Sequence, residues 1–207
     1  MDSKNTGQNM QLGKYIIFEG PDGTGKTTAA TMVANKIKDS VFVRNPGATE
    51  LGRKLRHILK HELEVQIDSE SEQLLFLADH VAFCNQILKP NLAAGKVVLA
   101  DRHNGISGLM YSNSWVKKFY EAIPEYKADL LLVFSCPFEV CKKRADARGE
   151  KCRFESRGDK YMMQVHDNYK NFSDYGMYAR NVIYIDAEKS VNDVVHDVLD
   201  AVTMIQL

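Results

Sequence analysis

The sequence has no charge surplus, no long apolar run and little cysteine, and each shortage removes a class of function. Its 27 basic and 27 acidic residues cancel, so no global field draws the chain onto a nucleic-acid polymer or an anionic membrane. No stretch approaches the ~18 apolar residues of a membrane helix, and the polar segment 1–11 lacks the apolar centre of a secretory signal. Residues 1–12 are expected to be a loose tail ahead of a single domain over 13–207, because 207 residues suffice for one well-filled core. Four cysteines (Cys84, Cys136, Cys141, Cys152) form no C-x-x-C pair, and six histidines are scattered. This predicts free thiols in a reducing compartment, the cytoplasm by default, and no zinc site.

What is present concentrates between Tyr15 and Thr28, Y-I-I-F-E-G-P-D-G-T-G-K-T-T. Tyr15 to Phe18 reads as a short buried strand, and Gly20-Pro21-Asp22-Gly23-Thr24-Gly25-Lys26-Thr27 fits the phosphate-loop pattern G-x-x-x-x-G-K-[ST]. Such a loop points successive backbone N–H groups at a phosphate, at the positive end of the next helix. Lys26 would add a point charge at the β- and γ-phosphates, and the Thr27 hydroxyl would ligate Mg²⁺.

Downstream, helices are expected over 26–37, 50–62, 69–89, 137–147, 160–172 and from 190, and strands over 41–43, 96–101, 129–135 and 182–185. In the second helix Arg53, Arg56 and Lys60 share one face, either a solvated basic surface or a functional one. The third has an apolar stripe of Leu74, Leu77, Ala78, Val81 and Leu88, and a second of Phe76, His80, Phe83 and Ile87 on roughly the opposite side. One face can be core, and the other can line a pocket or a subunit interface. The strand ending at Asp101 is followed at once by Arg102, which places a carboxylate and a guanidinium on the strand-end rim where α/β ligands bind. Asp101 can reach Mg²⁺ through water and Arg102 can clamp a phosphate; a structural ion pair is the plainer reading. Arg144 to Arg157 is charge-dense, either a solvated loop or a lid over about 144–158 whose arginines close over phosphates. Alternating strands and helices imply an α/β fold: a five-stranded parallel sheet with helices on both faces.

With these pieces in place, the sequence resembles the thymidylate kinases, a family of P-loop nucleoside monophosphate kinases. The segments F-E-G-P-D-G-T-G-K-T-T (18–28), R-N-P-G-A-T-E-L-G-R-K-L-R (44–56), L-L-F-L-A-D-H (74–80), K-P-N-L-A-A-G-K-V-V-L-A-D-R-H (89–103) and A-R-G-E-K-C-R-F-E (147–155) carry the resemblance. It implies Mg²⁺-assisted transfer from ATP to a deoxynucleoside monophosphate, with dTMP the leading acceptor. By position, residues 20–28 would hold the ATP phosphates, Asp186 and Ala187 would lie near the adenine, and Thr27 and Asp101 would sit by Mg²⁺. Arg44, Arg56 and Arg102 would hold the acceptor phosphate, Phe76 would stack on its base, Ser107 would lie beside the base, and Asp22 would lie near its sugar and phosphate. Lys26, Arg102 and the lid residues Arg148 and Arg153 would meet the transition-state charge. The resemblance also implies a homodimer, with the helix over 69–89 as the candidate interface.

Three departures bear on specificity. His80 stands where the family usually has the arginine that reads the thymine O4 edge, and imidazole offers one N–H and a shorter reach. Met110, with Tyr111 beside it, stands at the family's tyrosine, which guards against a ribose 2′-OH. Asn45 and Arg53 replace common glutamates. A different pyrimidine, dUMP or a 5-substituted dUMP, is the alternative acceptor. A nucleotide switch reading guanine would need N-K-x-D after a strand; the nearest string, 35–39, has one residue too many and lies in the first helix. A non-catalytic binding module is disfavoured by the intact Lys26, Thr27, Asp101 and Arg102.

Overall fold

The first strand, β1 (Tyr15–Glu19), is buried on both sides, which is why its side chains are apolar without alternation until Glu19. It lies at the centre of a parallel sheet in the order β2-β3-β1-β4-β5, with β2 at Ser40–Arg44, β3 at Val97–Asp101, β4 at Ala128–Ser135 and β5 at Ala179–Asp186. The computed structural model describes residues 13–111, 127–149 and 152–206. The expected tail and lid residues Glu150 and Lys151 lie outside them.

Alternate residues of β1 feed two cores. Ile16 and Phe18 pack with α1 (Lys26–Ala34) and the C-terminal helix, whereas Tyr15 and Ile17 pack with residues of the other face. The register pairs Phe18 and Arg44 with Asp101, Glu19 with Val133, and Ser135 with Asp186. Polar strand-end residues therefore share one rim, where α/β sheets bind ligands.

The remaining helices are α2 (Glu50–Lys60), α3 (Ser69–Phe83), α4 (Lys89–Ala93), α5 (Asn104–Tyr111), α6 (Phe138–Asp146), α7 (Asp159–Asn171), α8 (Tyr175–Tyr178) and α9 (Val191–Thr203). Thr49 and Asp68 cap α2 and α3 by accepting from Gly52 N and Ser71 N. Three sequence expectations change, and the choice of inward face on α3, left open by the sequence, is settled. The helix over 69–89 is not continuous α: a π-helical turn at Cys84–Leu88 shifts the phase and carries Leu88 into the core. On α3 the stripe of Phe76, His80 and Phe83 is the buried one, and Leu74 and Val81 are left on the surface. The first helix ends at Ala34, and α5 follows Arg102-His103 directly where no helix was expected.

Candidate active site

Between β1 and α1 the loop is held by close backbone approach. A Cβ at Gly20 would sit 2.3 Å from Phe134 O, and one at Gly23 would sit 2.1 Å from Cys141 O, so only glycine fits at either position. Gly25 precedes α1 without a side-chain cap, which leaves the first N–H groups of the helix for an anion. Lys26 is 5% exposed, and its Nζ donates to Pro21 O at 2.9 Å. Burial, then the Arg102 charge, lowers its pKa to about 8, against the opposing pull of Asp22, Asp101 and Glu19.

Thr27 Oγ1 donates to Asp101 Oδ2 at 2.6 Å, and Arg44 Nε stands 3.5 Å from the same oxygen. Asp101 Oδ1 is buried and unmatched. A hydroxyl and a carboxylate with a spare buried oxygen suit Mg²⁺, which takes few protein ligands and keeps its waters and phosphates. These residues fit the ion. Thr27 opens onto a cavity of about 540 Å³ lined by the loop from Asp22 to Ala29, Arg44, Arg102, Arg144, Arg148, Ala187 and Lys189.

At the centre of the rim is Glu19, fully buried. Its carboxylate accepts from His103 N (2.7 Å), Gly20 N (3.1 Å), Ser107 Oγ (2.9 Å) and Tyr169 OH (2.8 Å), and it lies 3.6 Å from Arg102. Arg102 in turn reaches Tyr169 OH (2.9 Å), Gly20 O (3.3 Å) and Asp22, to which Tyr111 OH also donates at 2.8 Å. The Arg102 backbone has φ +80°, a left-handed conformation costing about 1–3 kcal/mol for a non-glycine residue. Hydrogen bonds from Arg102 N to Phe18 O and from Asn45 Nδ2 to Arg102 O hold it there. Burial pushes the Asp22 carboxyl up, but Arg102, Lys60 and Lys26 outweigh it and hold the group well below the usual range. Asp22 is therefore a fixed anion and a poor base.

Beside this network a second, narrow slot is lined by Pro46, Lys60, Phe76, Arg102, Ser107, Tyr111 and Phe154. Its cavity of about 20 Å³ holds about one water. Phe154 lines it from the segment after α6, with its ring 5.9 Å from Phe76 and 5.3 Å from Tyr111. The same segment is fastened by Arg157 to Glu72 and by Arg153 to the carbonyls of Val65 (2.7 Å), Ile58 (3.4 Å) and Glu62.

Most of the sequence-predicted residues converge. Arg56 is adjacent, donating to Pro46 O at 2.8 Å. Others go elsewhere. Arg153 is spent on carbonyls at and just after the end of α2, while Arg148, paired with Glu155 at 2.5 Å, faces the phosphate-loop cavity. His80 is 1% exposed behind the slot, its ring 4.7 Å from that of His103 and its Nε2 3.6 Å from Cys84 Sγ. Met110 is core, and Tyr111 takes the place at the slot. Of the pair near the expected adenine, Ala187 lines the loop cavity and accepts from Arg144 at 2.7 Å, but Asp186 faces a different cleft. The sequence reading missed Glu19, although a carboxylate ending an apolar strand was a signal. It also missed Lys60 and Arg144 as site residues, and Tyr169 and Phe154 give none.

The thymidylate kinase family profile matches residues 18–198. The chain is 33% identical over 188 residues to the thymidylate kinase of Campylobacter curvus, covering 86% of this chain and 93% of that one. It is 30% identical over 206 residues to the Haemophilus ducreyi thymidylate kinase, covering 94% and 95%. The crystal structure of thymidylate kinase from Ehrlichia chaffeensis superposes with a TM-score of 0.70 at 23% identity, covering 92% of this chain and 99% of that one, a likeness of fold.

Proposed function

The chain belongs to the thymidylate kinase family and is a nucleoside monophosphate kinase that takes its phosphoryl group from ATP, and we propose that its acceptor is dTMP and its metal Mg²⁺. The observation that carries the reading is the junction of two compartments at Arg102 and Asp22: a phosphate-loop cavity on one side and an aromatic slot on the other. A reaction between two phosphates needs that geometry.

ATP lies with its β- and γ-phosphates on the loop N–H groups and Lys26, and its adenine toward Ala187 and Arg144. Thr27 and Asp101 would hold Mg²⁺, which would supply positive charge beside the donor phosphates. The acceptor monophosphate sits between Arg44, Arg56 and Arg102, with its base on Phe76 beside Ser107. An acceptor phosphate oxygen forms the new bond to the γ-phosphorus, the bond to the β–γ bridging oxygen breaks, and ADP leaves. Phosphate oxygens are already anionic at neutral pH, so no base is required, and Asp22 orients Arg102 and the acceptor. Lys26, Arg102 and Arg148 neutralise the charge spread over the transferring group. Arg153 acts by holding the lid to the end of α2.

A second reading, a different pyrimidine such as dUMP or a 5-substituted dUMP, is favoured by one observation: His80 does not line the slot, so the charged side chains that do are Lys60 and Arg102. An ADP-release assay with Mg²⁺-ATP against dTMP, dUMP, 5-hydroxymethyl-dUMP, dCMP, dGMP, dAMP and UMP decides between them. Preference for dTMP supports the first reading, preference for another pyrimidine the second, and turnover of none removes both. The homodimer reading is supported by apolar side chains left exposed at Leu74, Val81 and Leu51 (46%, 37% and 47% exposed). A monomeric mass by light scattering would remove that assignment.

A further inference from the structure

Cys136 and Cys141 face each other beside the phosphate loop with their sulfurs 2.9 Å apart. Cys136 follows β4, Pro137 turns the chain, and Cys141 lies in the first turns of α6. Both are buried, at 7% and 3% exposure. A disulfide holds its sulfurs at about 2.05 Å, so closure asks for less than about 1 Å of sulfur movement. The other cysteines have different surroundings: Cys84 contacts His80, and Cys152 lies in the lid.

The pair is reachable and connected. A cleft of about 790 Å³, lined by Ser135, Cys136, Pro137, Phe138, His166 and Tyr184 among others, gives a small reagent access to Cys136. The Cys141 carbonyl is what the backbone of Gly23 rests against. At its other end α6 carries Arg144 to Ala187 O in the nucleotide cavity. Any shift of this helix is therefore felt at both the phosphate and the nucleoside ends of the donor site.

We propose that Cys136 and Cys141 form a dithiol modification site for small two-electron oxidants of the peroxide class, and that the disulfide weakens ATP binding by pulling α6 against the phosphate loop. The Cys136 thiolate attacks one peroxide oxygen, the O–O bond breaks, and the departing hydroxide takes a proton and leaves as water. Cys141 sulfur then attacks the Cys136 sulfenic sulfur, the S–O bond breaks, and the hydroxyl leaves as water with the Cys141 proton. Two electrons from the thiols reduce one peroxide to two waters, and an external dithiol reverses the step. The order of attack follows from the surroundings. The Cys141 hydrogen bond, then the Arg144 charge, lowers the Cys136 thiol, while that same bond and burial push Cys141 up until Cys136 is oxidised.

The test uses the full chain with hydrogen peroxide, followed by alkylation and mass mapping. Cys136 and Cys141 share one tryptic peptide, 128–142, with Glu139 between them. The expected result is a peptide two mass units lighter that takes no alkyl group, and that stays joined after cleavage at Glu139 until reduced. ATP binding, read by calorimetry without turnover, weakens about threefold or more and recovers with dithiothreitol. Cys136→Ser and Cys141→Ser each abolish the response, and Cys152→Ser retains it. Because a buried serine can perturb folding, the wild-type peptide map stands as the independent readout. Unlinked Cys136 and Cys141, oxidation confined to Cys152, or a linked peptide with unchanged ATP affinity each overturn the proposal. The ATP readout rests on the proposed donor site and the peptide map does not, so the two failures are distinguishable.

Discussion

Lys26 gives the sharpest prediction because its pKa of about 8 sits inside the working range. In the free protein the ammonium is desolvated, repelled by Arg102 and parked on Pro21 O, whereas bound phosphates would supply the counter-charge it lacks. Roughly nine in ten of these side chains are charged at about pH 7, and roughly one in ten at about pH 9. The phosphate monoester pKa lies near 6, so the nucleotide contributes little above neutrality. ATP affinity is then expected to fall about tenfold, or ~1.4 kcal/mol, between pH 7 and 9. Near pH 8 binding should take up about half a proton, visible as a dependence of calorimetric enthalpy on buffer ionisation. Lys26→Arg keeps its charge and should show weaker but pH-independent binding. Affinity unchanged from pH 7 to 9 with no buffer dependence would refute the reasoning. The same depression has a sign in stability: between about 8 and 10.4 the unfolded chain binds more protons at this site than the folded one, so this group's contribution makes the unliganded protein more stable as pH rises.

The other predictions follow from the same rim and slot. Glu19→Ala removes one of the two carboxylates facing the buried Arg102 and strands four donors, and should cost about 3–5 kcal/mol in urea unfolding, with Glu19→Gln costing less; a loss under about 1 kcal/mol would contradict the hub. Arg148→Ala should lower kcat by about 100-fold or more with the melting temperature unchanged. Arg153→Ala should lower the melting temperature with a kcat loss of less than about tenfold; the reverse pattern would reinstate Arg153 at the chemistry. His80→Arg forces a guanidinium against His103 and Phe83 and should destabilise by about 3 kcal/mol, so a variant as stable as wild type would show that residue 80 can turn toward the slot.

The phosphate loop and the Asp101-Arg102 step were legible because the required backbone and the required chemistry coincide in a short, contiguous string. The sheet was legible because doubly buried strands show unbroken apolar runs. Helix α3 was less so: periodicity found two apolar stripes but not which one faces in, since that is decided by what packs on it. Residue 80 shows the limit of positional analogy. The π-turn, Cys84 and His103 are separated from it by up to 23 positions, yet together with Phe83 they hold its ring away from the slot. Tyr169 and Phe154 reach the site only through tertiary folding, and no local pattern marks them.

The two compartments at Arg102 are unequally open, and this predicts different capture kinetics for their two ligands. The loop cavity proposed for the donor holds about 540 Å³, whereas the slot proposed for the acceptor holds about 20 Å³, with Phe154 packed in its wall against Phe76. A monophosphate that arrives is expected to wait for Phe154 to lift, with Arg153 and Arg157 setting how long. Acceptor capture is then expected to be gated: its observed rate should rise with concentration to a plateau equal to the opening rate, while donor capture should keep rising. Loosening either arginine should raise that plateau without touching the phosphoryl step.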